Sequence, residues 1–132
     1  MVRAQTYRIG VKDSIFDPYA RKSKERTAYY RPLANRDDLT YYKVWIYLDG
    51  DDLPFVKSVK YILHDSFRNR VRIVESESSN PRCAAKIWTW GIFTVDVEIE
   101  DLDSRIIRMS HHLSYGDEVV QDGINWIEKV LR

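Results

Sequence analysis

Four consecutive positions, His64-Asp65-Ser66-Phe67, hold an imidazole, a carboxylate, a hydroxyl and an aromatic ring. The first three are the residue types of a Ser-His-Asp hydrolase, in which the histidine takes the serine proton and the aspartate orients the histidine. Neighbours in sequence rarely reach the mutual geometry those roles demand, and no Gly-x-Ser-x-Gly elbow is present to expose a nucleophile. A hydrolase is therefore the weakest of the readings, and the same four residues serve equally well to cap a strand.

Other chemistry is sparse. His111 and His112 are adjacent, so on a strand they point to opposite faces and do not share a metal, and His111 reads as a satisfied core histidine. Asp49, Asp51 and Asp52 around Gly50 suggest calcium, but a calcium loop needs more oxygen ligands at regular spacing and a distal Glu, which is missing here. The single cysteine, Cys83, excludes an internal disulfide and a Cys-rich zinc site, and no Gly-rich phosphate loop occurs. No cofactor or metal is expected. What remains is aromatic: Phe67, Trp88, Trp90, Phe93 and the Tyr41-Tyr42 pair.

The elements that must position these residues are strands. The chain has 132 residues, enough for one domain with its own core. It carries 21 Lys and Arg against 20 Asp and Glu, a net charge of +1 with the signs mixed, which argues against nucleic acid and anionic membrane as partners. The basic run Arg21-Lys22-Ser23-Lys24 reads as solvated surface. No apolar run approaches the ~20 residues of a membrane span, and the first ten residues contain no signal-peptide core, so a cytoplasmic location is expected. Nine Tyr, four Trp and four Phe interleaved with Val and Ile favour strands over helices.

Residues 6–11 alternate weakly as an edge strand, 12–24 read as a loop, 27–31 as a short strand ended by Pro32, and 34–38 as a turn. Residues 41–48 are apolar on both faces, with Val44, Ile46 and Leu48 on one and Trp45 and Tyr47 on the other, as in an inner or covered strand. Val59, Tyr61 and Leu63 alternate with polar neighbours and deliver the chain to His64. Short strands follow over 71–74 and 82–89, with Gly91 permitting a tight turn or a close backbone approach. Residues 93–100 alternate strictly and pair with 105–115 as a hairpin. Beyond Gly116 the apolar period lengthens to three and four, which predicts a short amphipathic helix within 116–132. Several short strands about ten residues apart argue for two antiparallel sheets packed face to face, an immunoglobulin-like sandwich.

The order Val44-Trp45-Ile46-Tyr47-Leu48-Asp49-Gly50, then residues 55–67 ending Leu63-His64-Asp65-Ser66-Phe67, then Trp90-Gly91-Ile92-Phe93, then His112-Leu113-Ser114-Tyr115, resembles the YEATS domain family. The resemblance covers roughly residues 40–115, leaving 1–39 as an N-terminal extension and 116–132 as a C-terminal addition within one domain. It implies an eight-stranded immunoglobulin-like sandwich without enzymatic activity that reads acylated lysine. By that resemblance the acyl-amide slides between the rings of Phe67 and Trp90, the Trp90-Gly91 loop supplies a backbone N–H to its carbonyl, Ser66 bonds the amide and His64 lines the wall. Eukaryotic readers carry Gly before the loop aromatic and Trp at the start of the first core strand, where this chain has Thr89 and Val44, with Trp45 one place on. The loop Trp90-Gly91-Ile92-Phe93 fits the prokaryotic YEATS branch better. The partner so implied is an acylated or otherwise modified peptide or protein. The alternative is a protein–protein interaction domain that uses a sheet edge or the C-terminal helix, with the aromatic cleft only structural.

Overall fold

The computed structural model describes residues 8–19, 25–33, 36–89, 91–114 and 125–130, of which 25–26, 32–33, 36–40 and 125–130 are described as backbone. Among the described residues nine strands run β1 (Gly10–Ser14), β2 (Glu25–Leu33), β3 (Arg36–Asp49), β4 (Val56–Ile62), β5 (Val71–Glu75), β6 (Ala85–Thr89), β7 (Thr94–Asp101), β8 (Ile106–His112) and β9 (Asn125–Val130). They form two sheets, a five-stranded one of β1, β2, β3, β6 and β9, and a four-stranded one ordered β5-β4-β7-β8. This is the immunoglobulin-like sandwich expected from the alternation.

The long β3 is the spine of the first sheet. Tyr42 pairs with both Tyr30 of β2 and Thr89 of β6, and Trp45 with both Ser14 of β1 and Lys86 of β6. A strand has two edges, so β6 occupies one and β1 and β2 share the other. The inward row Val44, Ile46 and Leu48 is fully buried, and meets Val59, Tyr61 and Leu63 from β4 and its exit and Val95, Val97 and Ile99 from β7. Each strand thus contributes every second residue to one core, which is what the period of two encodes. The outward Trp45 and Tyr47 are also buried, with Tyr29 tilted against the Trp45 ring, Lys43 over Trp45 and Arg82 over Tyr47. The second, solvent-side apolar row of β3 is covered by such side chains.

Four expectations need correction. The predicted C-terminal helix is not found where the structure describes the segment: Asn125–Val130 is a strand running parallel to β2, from Glu25 opposite Asn125 to Tyr30 opposite Val130. The free edge of β2 offers backbone partners to a segment containing Trp126, Ile127 and Val130, and a spacing of threes and fours in a short window does not exclude a strand. The rest of that predicted helix lies outside the described residues. Lys12 to Ser14, read as loop, belong to β1, because β3 offers them a pairing edge opposite Trp45 to Tyr47. Pro32 does not end β2; the strand continues to Leu33, with the register shifting between them, and β3 begins at Arg36 inside the predicted turn. A bulge tolerates the missing proline N–H.

The acidic turn has a structural task. Asp52 accepts the Arg8 N–H at 2.9 Å, Asp51 meets the Arg8 guanidinium at 3.4 Å and Asp49 pairs with Lys12 at 3.0 Å. The hydrogen bond from Lys12 is the first of the influences that hold the Asp49 carboxyl below its ordinary range. Gly50 has φ +135°, and a Cβ there would sit 2.0 Å from the Arg8 carbonyl oxygen, so the chain entering β1 crosses this turn at a distance only glycine permits. Below the core, the fully buried Tyr61 donates its hydroxyl to the Cys83 carbonyl at 2.7 Å, holding a residue whose φ is +50°.

Candidate functional site

Where β4 leaves the sheet, the chain turns sharply. The Phe67 N–H donates to the His64 carbonyl at 3.0 Å, and the Leu63 N–H donates to the Arg70 carbonyl at 2.7 Å, so residues 64–67 form a tight projection. Arg70 fixes its base, donating from Nε to the Leu63 carbonyl at 3.3 Å and pairing with Asp65 at 3.1 Å. Asp65 thereby faces Arg70, and no hydrogen bond joins it to His64 among the described residues. The triad arrangement is not formed.

His64 bonds Ser66 instead. Its Nδ1 accepts the Ser66 backbone N–H at 3.1 Å and stands 2.9 Å from Ser66 Oγ. A nitrogen that accepts an N–H must carry a lone pair, which assigns the neutral-ring proton to Nε2 and makes the Ser66 hydroxyl the donor to Nδ1. The oxygen's lone pairs are then left for an incoming N–H. The His64 ring meets Phe93 edge-on, centroids 6.1 Å apart at 61°, and the Phe67 ring is tilted against Phe93, centroids 5.2 Å apart at 48°.

The facing wall comes from the end of β6. Thr89, 5% exposed, donates its hydroxyl to the Gly91 carbonyl at 2.8 Å and accepts the Gly91 N–H at 3.3 Å. The threonine that stands where eukaryotic readers carry glycine braces the loop between β6 and β7. Gly91 is not in the left-handed region, and a Cβ built on it would meet nothing within 4 Å, so its value is open space and not backbone freedom.

Between these walls lies a cleft of about 420 Å³ lined by Tyr41, His64, Ser66, Phe67, Arg68, Trp88, Thr89, Gly91, Ile92 and Phe93. Four of the five residues singled out in the sequence, His64, Ser66, Phe67 and Gly91, line it together, and Trp90 lies outside the described residues. Phe93, Tyr41 and Trp88 are aromatic in the sequence without marking themselves as part of the site. Phe93 sits at an odd position of an alternating segment and reads as core, and only its packing on both His64 and Phe67 reveals its place at the cleft. The remaining histidines are engaged elsewhere: His111 Nε2 lies 2.5 Å from the buried Asp13, and His112 Nδ1 lies 3.1 Å from Thr94 Oγ1. Among the described residues no group of three or more His, Cys, Asp and Glu is placed to hold a metal.

Comparison with known proteins identifies the family and supports the fold. The family model of the prokaryotic YEATS domain matches residues 42–114. Among solved structures, the chain is similar to the yeast AF-9 homologue Yaf9, with TM-score 0.53 and 18% identity, covering 84% of this chain and 69% of that one. It is also similar to the Yaf9 YEATS domain recognising an H3K122suc peptide, with TM-score 0.51, 20% identity and coverage of 90% and 82%. A third similar structure is the Yaf9 YEATS domain bound to H3K27ac, with TM-score 0.51, 15% identity and coverage of 91% and 82%. No curated protein matches the chain. With its sandwich, its His64-to-Phe67 projection and a family match spanning more than half of its length, the chain belongs to the prokaryotic YEATS domain family.

Proposed function

We propose that this domain is a non-enzymatic reader that takes an acylated lysine, or a closely similar planar amide on a peptide, into the cleft between residues 64–67 and the loop after Thr89. One observation carries the reading: the cleft joins an aromatic wall of Phe67 and Phe93 to a serine whose hydroxyl is already committed as a donor to His64. Ser66 Oγ accepts the side-chain amide N–H and Phe67 grips the flat amide; the family resemblance assigns the backbone N–H for the acyl carbonyl and the second ring to Trp90, which lies outside the described residues. Gly91 leaves space for the acyl chain. An unmodified lysine is excluded on physical grounds, since a cationic ammonium would shed its water into an aromatic slot that carries no carboxylate, whereas a neutral amide fits with its hydrogen bonds satisfied. Yaf9, which shares the fold, is bound to or recognises acylated H3 peptides, and this supports the choice of ligand class.

The test is titration of acetyl- and crotonyl-lysine peptides and their unmodified counterparts into the protein. Binding confined to the acylated peptides and lost in Phe67→Ala, with the fold retained, is expected. Absence of a response to any acylated peptide refutes the reading.

A further inference from the structure

The charge around the cleft indicates what surrounds the modified lysine. Of the ten lining residues only Arg68 carries a formal charge, and none is a carboxylate. The arginines that follow it are tied to the protein, Arg70 to Asp65 and the Leu63 carbonyl, Arg72 to the Asn69 carbonyl at 2.6 Å. Arg68 is exposed and makes no ion pair or hydrogen bond among the described residues.

The opposite wall runs onto the outer face of the first sheet, and its charge has the same sign. Tyr41 and Trp88 line the cleft, and pairing fixes their neighbours: Arg31 lies opposite Tyr41, Lys43 opposite Trp88, and Lys86, two residues along β6 from Trp88, opposite Trp45. These residues share one face because directly paired side chains, and those two apart on a strand, project to the same side. The Arg31 guanidinium stacks 4.6 Å above the Trp88 ring. Burial first, and the charge of Lys86 second, push the Lys43 ammonium below its ordinary value, with Asp17 opposing in part. Cations therefore flank the cleft on both sides: Arg68 on one, Arg31, Lys43 and Lys86 on the other. Among the described residues the nearby carboxylates are Asp65, already paired with Arg70, and Asp17, which offsets part of the charge around Lys43.

We infer that the partner is an acidic segment, an acyl-lysine set among Asp and Glu, in contrast to the Lys- and Arg-rich surroundings of a basic tail. This rests on the acyl-lysine reading of the same cleft and adds the chemistry of the flanking residues. Carboxylates on the partner meet Arg68 and the Lys43–Lys86 pair, while Lys and Arg flanks place like charges against them, which opposes association.

The experiment uses three peptides with the same central crotonyl-lysine and acidic, neutral or basic flanks. With the wild-type chain at low salt the acidic peptide is expected to bind about 5- to 20-fold tighter than the basic one, and the difference to shrink as salt rises. Lys86→Glu, at an exposed position outside the cleft lining, is expected to remove most of that preference while leaving the neutral-flank peptide unchanged. Lys86→Gln gives an intermediate result without introducing a new charge, and thermal unfolding of each variant checks the fold. Equal affinity for the three peptides, tighter binding of the basic one, or an unchanged preference in both Lys86 variants overturns the inference while leaving the acyl-lysine reading standing. Failure of all three peptides to bind overturns that reading and this inference with it.

Discussion

The pairing of His64 with Ser66 makes a prediction that separates two ways in which a histidine can line a cleft. If His64 acts by holding the Ser66 hydroxyl as a donor, its contribution to binding must pass through that hydroxyl. Ser66→Ala removes one neutral hydrogen bond to the ligand amide, about 1 kcal/mol, or roughly fivefold in Kd. His64→Ala removes the acceptor 2.9 Å from Oγ, so the hydroxyl rotates freely and its lone pairs are no longer aimed. It also removes the edge contact with Phe93 at 6.1 Å, worth on the order of 0.5 kcal/mol at this partly exposed site. In the Ser66→Ala background the first effect has vanished, and His64→Ala should then cost only the ring contact. The double-mutant cycle, measured by calorimetric titration with one crotonyl-lysine peptide, should therefore give a coupling of about 0.5–1 kcal/mol. Both positions are exposed, so the melting temperature should hold within what a surface change produces. Costs that simply add, to within ~0.3 kcal/mol, would refute the proposed orientation of the hydroxyl.

Two further predictions address the scaffold. Gly50→Ala combines φ +135° with a Cβ 2.0 Å from the Arg8 carbonyl oxygen, so the turn or the chain crossing it must move, at a cost on the order of 3 kcal/mol; an unchanged denaturant midpoint would contradict this crossing. Burial pushes the Cys83 thiol up from 9.0 to about 11, so the unfolded chain loses this proton first as pH rises. The stability due to the protonated thiol is fully present below pH 9.0 and is lost progressively as pH rises through about 11, on the order of 2–3 kcal/mol in all. The fully buried Tyr61, raised well above its usual range first by burial and next by Cys83, also adds alkaline loss, so the difference in urea unfolding between wild type and Cys83→Ala reports the thiol together with its coupling to Tyr61. Parallel stability curves for the two would count against a buried, protonated Cys83.

Legibility from the sequence followed the range of the interactions. Residues 59–63 and 93–100 announce strands because a face in the core and a face in water impose a period of two on the chain itself. The alternation in 41–48, apolar on both sides, likewise anticipated that Trp45 and Tyr47 would be covered. The C-terminal segment misled because Val119 to Leu131 satisfies a helical spacing, while the competing partner, the free edge of β2, lies about a hundred residues away in sequence. The partners of the acidic turn were out of reach for the same reason: Asp49, Asp51 and Asp52 lie together locally, but Arg8 and Lys12 arrive from the start of the chain.

At the site, the local resemblance pointed to His64, Ser66, Phe67, Trp90 and Gly91, and the structure brings four of them, His64, Ser66, Phe67 and Gly91, to one cleft. Tertiary structure alone decided that Asp65 turns to Arg70 while His64 turns to Ser66, and that Phe93, packed against the core, also contacts both His64 and Phe67. It also decided that Arg31, Lys43 and Lys86, scattered over three strands, face outward beside a cleft whose only charge is Arg68. The physical reason is common to all of these. Periodicity records which face a side chain takes, but which side chains meet across a sheet or a loop depends on strand register, and register is set by pairing between segments far apart in the chain.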